Sequence, residues 1–410
     1  MRSTNLRERA LFEFIRRGAR VIDGPGRRLV RLDEGSLLGA AQRRARLGDF
    51  GDPTFREPLR RLLDSIEREA QLNFVGRLAA REDLSRMLIN RLKLQHDRTR
   101  YPEIAAERIR RPIFITGLPR SGSTLLHGLL AQDPANRVPL NWETMYPSPP
   151  PERATYDDDA RADLCDRQIR WFYRLAPEFR KIHPVGARLA EECVVILSYS
   201  FLSFQFSTSY YVPTYQSWLE QQDLSPAYRL HYAILQQLQW RCAGERWVLK
   251  APPHLPGLKA LSAIYPDAGI VMTHRDPLEV VASVASLHVV LRRTFSDAVD
   301  PHAVGPEVSP MLAGDIERGM AARDGGCLPA DRFVDVWYAE LLRDPIGTVR
   351  KIYAHFDLPF SAAAEIRMRR FLAENPQNTH GAHEYTLAAF GLDEVAERQR
   401  YRAYSSRFGL

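Results

Sequence analysis

The sequence predicts an α/β fold: a parallel sheet flanked by helices, preceded by a helical N-terminal extension. Three observations predict it. Short β-rich runs are each followed by a helical pattern, and that rhythm recurs along the chain. A glycine-rich turn, "TGLPRSGSTLL" at 116–126, joins the first of these runs to its helix. Residues 1–100 carry apolar residues three and four apart, the helical spacing.

The elements follow in order. "LRERALFEFIRRGAR", "GSLLGAAQRRARLG", "FREPLRRLLDSIEREAQLN" and "REDLSRMLINRLKLQHDR" read as helices of the extension. "GDFGDP" at 48–53 punctuates them. The first of these helices is basic and amphipathic, with Leu6, Leu11, Phe12 and Ile15 among arginines. Docking on the main domain is one reading of it, and peripheral contact with an anionic membrane is the other. Residues 101–410 read as the sheet domain, with a helical and aromatic insertion at about 146–240. In that domain "PIFITG" is a strand, followed by a helix from about Ser123 to Gln132. "YPSPPPERATY" is proline-rich punctuation, and another helix runs to about Leu175. "RWVLK", "AGIVMTH" and "RFVDVWY" are later strands, with helices expected near 255–265, 277–291 and 345–356. The stretch 375–392 has the turn residues of a loop.

Composition excludes several classes. The chain has 410 residues and is 45% hydrophobic, enough for one α/β domain with insertions. No repeat has a solenoid period. No apolar run reaches the ~18 residues that span a bilayer, and no secretory signal core is evident. The four cysteines, Cys165, Cys193, Cys242 and Cys327, stand too far apart for a zinc motif or a disulfide framework. A reduced, cytoplasmic compartment is the expectation. Net charge is +7, yet only five of the basic residues are lysines. Arginine pairs such as Arg43–Arg44 and Arg292–Arg293 are scattered beside acids and read as solvated faces, not as a nucleic-acid surface.

The glycine-rich turn is P-loop-like but has its cation out of place. A triphosphate loop carries lysine directly after its second glycine. Here Gly117 and Gly122 keep the glycine spacing and Thr124 keeps the hydroxyl, but Ser123 fills the lysine position and Arg120 lies inside the loop. Backbone N–H groups at such a turn, with the helix N-terminus behind them, attract an anion. No strand ends in a persuasive magnesium-binding aspartate. "AGIVMTH" leads instead to Arg275, a second cation at a strand end, and no metal is required. Asp276-Pro277 reads as an N-cap and first helical residue, placing Ser283 about two turns along.

"TGLPRSGSTLLH" resembles the 5′-phosphosulfate loop of sulfotransferases that use 3′-phosphoadenosine 5′-phosphosulfate (PAPS). "HRDPLEVVASVASL" at 274–287 resembles their 3′-phosphate motif, an arginine followed eight residues later by serine. "RWVLKAPPHLPGLKAL" and "VWYAELLRDPIGTVRKIYAHFDLPF" resemble segments of the bacterial-type branch, and the similarity covers roughly 111–392. The resemblance implies transfer of a sulfonate from PAPS to a hydroxyl, with 3′-phosphoadenosine 5′-phosphate as the second product. It carries donor binding onto Gly117, Pro119, Arg120, Ser121, Gly122, Ser123, Thr124 and Leu125. It also carries it onto Arg275, Ser283 and Tyr338, and onto His383 and Tyr385 near the C-terminus. Arg120 would stabilise the leaving phosphate electrostatically, since arginine is a poor proton donor. Leu125 stands where cytosolic relatives have a tryptophan.

Two residues compete for the role of base. His254 follows "LKAPP", but three residues separate Lys250 from His254 where cytosolic members have one between them. Glu143 follows the loop by about twenty residues, as a catalytic glutamate does in tyrosine-directed members. Lys250 would orient the sulfonate. Glu191 and Glu192 rank behind both. The aromatic stretch at 196–219 is either core or the wall of an apolar acceptor pocket. The acceptor expected is a small, hydrophobic or lipid-like alcohol, and a homodimer is compatible with the sequence. A P-loop kinase or ATPase, and a catalytically silent nucleotide-binding protein, are the alternatives.

Overall fold

A computed structural model describes residues 29–177, 179, 185–376 and 386–410. The first expected helix, at 6–20, lies outside the described residues, as do His383 and Tyr385.

Five parallel strands form the sheet: β1 (Ile113–Gly117), β2 (Asn136–Arg137), β3 (Arg246–Lys250), β4 (Gly269–His274) and β5 (Phe333–Trp337), in the order β2-β3-β1-β4-β5. The glycine-loop strand is therefore central, with β3 and β4 on either side. Ile113 pairs with Val248 on one side and Gly269 on the other. All five residues of β1 are buried. Its near-continuous apolar run suits a parallel strand covered on both faces.

Successive side chains go to opposite faces. Ile113 and Ile115 join Val248, Val271 and Val336 in the core under one face. Phe114, Leu249, Ile270 and Met272 join the larger core on the other. A one-residue slip would exchange the two sets, so register is strongly fixed.

The helices of the N-terminal region are α1 (Glu34–Ala45), α2 (Arg56–Glu69) and α3 (Phe74–Arg100). They place Leu37, Leu59 and Leu84 in the same large core that Phe114 enters. After β1 come α4 (Ser123–Leu130), α5 (Asn141–Met145) and α6 (Ala160–Leu175). The insertion continues through α7 (Cys193–Leu197), α8 (Gln205–Ser209), α9 (Pro213–Leu219) and α10 (Ser225–Gln239). Its aromatic stretch is largely core, with Tyr199, Phe201, Phe206 and Tyr215 almost wholly buried.

The later helices are α11 (Leu258–Ile264), α12 (Pro277–Phe295), α13 (Pro301–Asp324), α14 (Tyr338–Arg343), α15 (Pro345–His355), α16 (Ala362–Glu374) and α17 (Glu394–Phe408). Asp276 caps α12 by accepting from the Leu278 N–H at 2.9 Å. Pro277 follows at the first helical position, where its missing N–H costs nothing.

One surface expectation is corrected. Arg292 is 2% exposed, not solvated. Its guanidinium donates to both Glu307 oxygens and to the Ser207 carbonyl. This ties α12 to α13 and to α8.

Candidate active site

The turn after β1 is built for close approach. Gly117 has φ +132°, and a Cβ there would lie 2.3 Å from the Thr273 carbonyl oxygen. Gly122 has φ +87° and forms the N-cap of α4. A Cβ at Gly122 would meet Leu341 and the Tyr338 ring at 2.9–3.0 Å. Arg120 also sits in the left-handed region, at φ +64°. A non-glycine residue there costs about 1–2 kcal/mol, and such strain collects at functional loops.

Arg120, Arg275 and Ser283 come together. The Arg275 guanidinium donates to the Arg120 carbonyl oxygen at 2.8 Å. Arg120 Nε donates to the Ser283 hydroxyl at 3.2 Å. Arg275 also lies over the Tyr338 ring, 4.3 Å from its centroid, and pairs with the exposed Glu279. Tyr338 thus packs beneath the second arginine and beside Gly122.

The side chain of Ser121 has another task. It is fully buried and bonds the Thr273 hydroxyl at 2.6 Å, tying the loop to β4. Pro119, Gly122, Ser123, Thr124 and Leu125 line a chamber of about 1260 Å³ that opens from the loop.

Lys250, at the end of β3, is 2% exposed. Its ammonium donates to the Thr124 hydroxyl at 3.2 Å and forms an ion pair with Glu192. Glu191 and Glu192 both line the chamber. Burial, with Glu192 alongside, pushes the Glu191 carboxyl up to about 7.

The two residues expected to compete as base lie elsewhere. His254 is fully buried, its Nδ1 bonded to the Tyr228 hydroxyl at 2.8 Å, and its ring meets Phe114 edge-on. Burial, His231 and Lys250 hold its pKa well below the usual histidine range. Its neighbours Pro253 and Leu255 line the chamber, but His254 faces the core. Glu143 is also fully buried. One of its oxygens pairs with Arg137 at 2.6 Å, and the other accepts from the Leu140 N–H at 3.0 Å at the start of α5. Arg137 in turn stacks over Trp247, 4.2 Å from the ring centroid. Glu143 is thus part of a buried ion pair that holds α5 to β2 and β3.

Much of the rest of the chamber comes from faces of three helices, with Met311, Leu312 and Asp315 of α13 beside them. On α12, Val284, Leu287, His288, Leu291 and Phe295 line it at helical spacing. On α3, Glu82, Asp83, Arg86, Asn90 and Lys93 line the facing wall. On α6, Leu164, Gln168, Ile169, Phe172 and Leu175 contribute. From the aromatic stretch, Phe204, Gln205, Thr208, Ser209 and Tyr210 reach it. Nothing in the sequence distinguishes the α6 and α12 faces from core faces, because an apolar wall and a core face share one periodicity. The Glu191–Glu192 pair had a fainter signal: a buried lysine at a strand end needs an acid nearby.

A parallel sheet with a cationic glycine loop beside a largely apolar chamber is an arrangement suited to group transfer from an anionic donor. The chain belongs to the sulfotransferase family, whose sequence profile matches residues 112–362. It is 35% identical to the sulfotransferase STF1 of Mycobacterium tuberculosis H37Rv, whose crystal structure superposes with a TM-score of 0.81 over 90% of this chain and 98% of that one. STF9 of Mycobacterium avium is 27% identical, with a TM-score of 0.82 over 92% of this chain and 96% of that one. The omega-hydroxy-beta-dihydromenaquinone-9 sulfotransferase Stf3 of Mycobacterium tuberculosis is 26% identical over 296 residues, 67% of this chain and 70% of that protein.

Proposed function

We propose that the protein transfers a sulfonate from PAPS to the hydroxyl of an apolar, lipid-like alcohol. The observation that carries this reading is the shared rim made by Arg120, Arg275 and Ser283 at the chamber mouth. Two cations there match a donor with phosphate at each end. The two glycines leave room for its oxygens, where a Cβ would crowd the loop. The apolar walls of α6 and α12 favour an apolar acceptor. A relative named for a hydroxylated menaquinone supports the same acceptor class.

In this reading the loop N–H groups and Arg120 bind the 5′-phosphosulfate, and Arg275 with Ser283 binds the 3′-phosphate. Arg275 exchanges its exposed partner Glu279 for that phosphate. The acceptor oxygen attacks sulfur while the S–O bond to the 5′-phosphate breaks. Arg120 stabilises the charge left on that phosphate. Lys250, held beside Thr124, orients the sulfonate. The acceptor's proton goes to the Glu191–Glu192 pair. Glu192 is linked to the loop through Lys250, and geometry ranks before pKa in choosing a base. Burial raises the neighbouring Glu191 carboxyl to about 7, which suits it to hold a proton near neutrality.

Calorimetry tests the donor. Adenosine 3′,5′-bisphosphate should bind tightly and ATP–magnesium weakly. Preferential ATP binding would reject the reading in favour of a phosphoryl-transfer enzyme. Tight bisphosphate binding with no turnover across a panel of long-chain alcohols and phenols would mark a silent binding protein.

A further inference from the structure

We infer that helix α6 docks the chamber on an anionic phospholipid bilayer, from which the acceptor enters. This rests on the apolar-acceptor reading above. Arg167, Arg170 and Arg174 are exposed and recur at three- and four-residue spacing, so they form one stripe along the helix. Asp163 and Asp166 are the acids beside that stripe, and three arginines against two aspartates leave it positive. Trp171 lies directly beside the stripe, is 59% exposed, and also borders the chamber. The Arg174 guanidinium sits over its ring, 4.8 Å from the centroid. Around the helix from Trp171, Leu164, Gln168 and Phe172 turn into the chamber, and Ala162, Cys165 and Ile169 are buried.

The order around α6 is therefore basic stripe, exposed tryptophan, chamber wall, core. A helix with arginines on its polar face and an adjoining aromatic and apolar face is suited to lie in a membrane interface. Tryptophan favours that depth, with its ring in the headgroup layer. The positive stripe selects anionic lipid, whose surface potential attracts basic residues. The geometry also suits delivery. An alcohol large and apolar enough to fill the chamber resides in a bilayer, and α6 would join that bilayer to the chamber wall without an aqueous gap. The basic amphipathic segment at 6–20 is the competing membrane contact, and the test separates the two.

The test is vesicle flotation, which needs neither donor nor turnover, so its failure is distinct from failure of the sulfonate-transfer reading. The protein should float with vesicles of phosphatidylcholine and phosphatidylglycerol, and not with phosphatidylcholine alone. The Arg167→Gln/Arg170→Gln protein should partition about 25-fold less, about fivefold per arginine, as expected for ~1 kcal/mol per basic residue at an anionic surface. Its turnover of a detergent-dispersed alcohol should be unchanged, which also shows that it is folded. Brominated lipid should quench tryptophan fluorescence in the parent protein, and Trp171→Phe should remove that quenching. Absence of flotation with anionic vesicles would overturn the proposal. So would undiminished flotation of the double variant, which would move the contact to another surface.

Discussion

The two ends of the chamber are made of different material. At the mouth, the loop between β1 and α4 sets backbone and charge within a few residues: Gly117, Arg120, Gly122 and Thr124, with Arg275 and Ser283 close in sequence on the next strand and helix. Further in, the walls are side-chain faces of α3, α6 and α12, which start at residues 74, 160 and 277. The mouth fixes atoms to within the van der Waals distance of a single missing Cβ. The walls of α6 and α12 supply apolar surface and set a shape. A mouth of this kind tolerates few substitutions, and the walls can change with the acceptor. Substitutions at the mouth should therefore act on rate, and substitutions in the walls on choice of substrate.

The largest effect is expected where the two ends meet. Glu192→Gln should lower kcat about 10²–10⁴-fold, the usual contribution of a positioned base. In the parent, kcat should fall as pH drops below about 7, because Glu191, which burial has raised to about 7, must be ionised for the pair to accept the proton. His254→Gln should leave that pH limb in place. Glu143→Gln should cost about 3–5 kcal/mol of stability by stranding the buried Arg137, with the same limb retained in the protein that folds. Steady-state rates from pH 5.5 to 9, with thermal melts, would check all three. Loss of the limb in His254→Gln would return the base to the histidine.

Next comes Arg120→Ala. Loss of a preorganised charge at the leaving group should lower kcat about 10²–10³-fold. Arg120 is exposed and its φ is strained, so the melting temperature should not fall. Turnover at saturating donor is the measurement, and near-normal turnover would break the asymmetry between mouth and walls. Arg275→Ala should act more on donor binding, raising donor KM about 10–100-fold for the loss of charged hydrogen bonds of about 1.5–3 kcal/mol.

The sequence made the mouth legible for the same physical reason. Gly117, Gly122, Arg120, Arg275 and Ser283 lie in two short strings, each set by the end of one strand and the start of one helix. Four of the five strands were equally plain, and "RWVLK" is β3 residue for residue, whereas the two-residue β2 carried no signal. The surroundings of His254 and Glu143 were less legible: both stand at suitable distances along the chain, but their side chains are buried in contacts away from the chamber. His254 is the third residue of "PPH", and the chain there points Pro252 and Pro253 at the chamber and the imidazole at Phe114. The helices α13 and α17 were missed as well. α13 holds Pro306 and Pro310 in its interior, which on sequence grounds argue against a continuous helix.

The smallest effect, and the sharpest for the walls, is expected at Leu291. It lies eight residues beyond Ser283 on α12, about 12 Å along the helix at 1.5 Å per residue. Leu291→Trp would fill part of the inner chamber. Overpacking of a wall typically costs about 1–3 kcal/mol, and a long acceptor that needs this space should lose about tenfold in kcat/KM. A short alcohol that reaches only Lys250 and Glu192 should be turned over as before. Donor KM should not move, since Leu291 is far from the loop. The ratio of long-chain to short-chain kcat/KM is therefore the quantity to follow. An equal loss for both would place Leu291 in the transfer machinery, and the division between a rate-setting mouth and a selecting wall would fail at that residue.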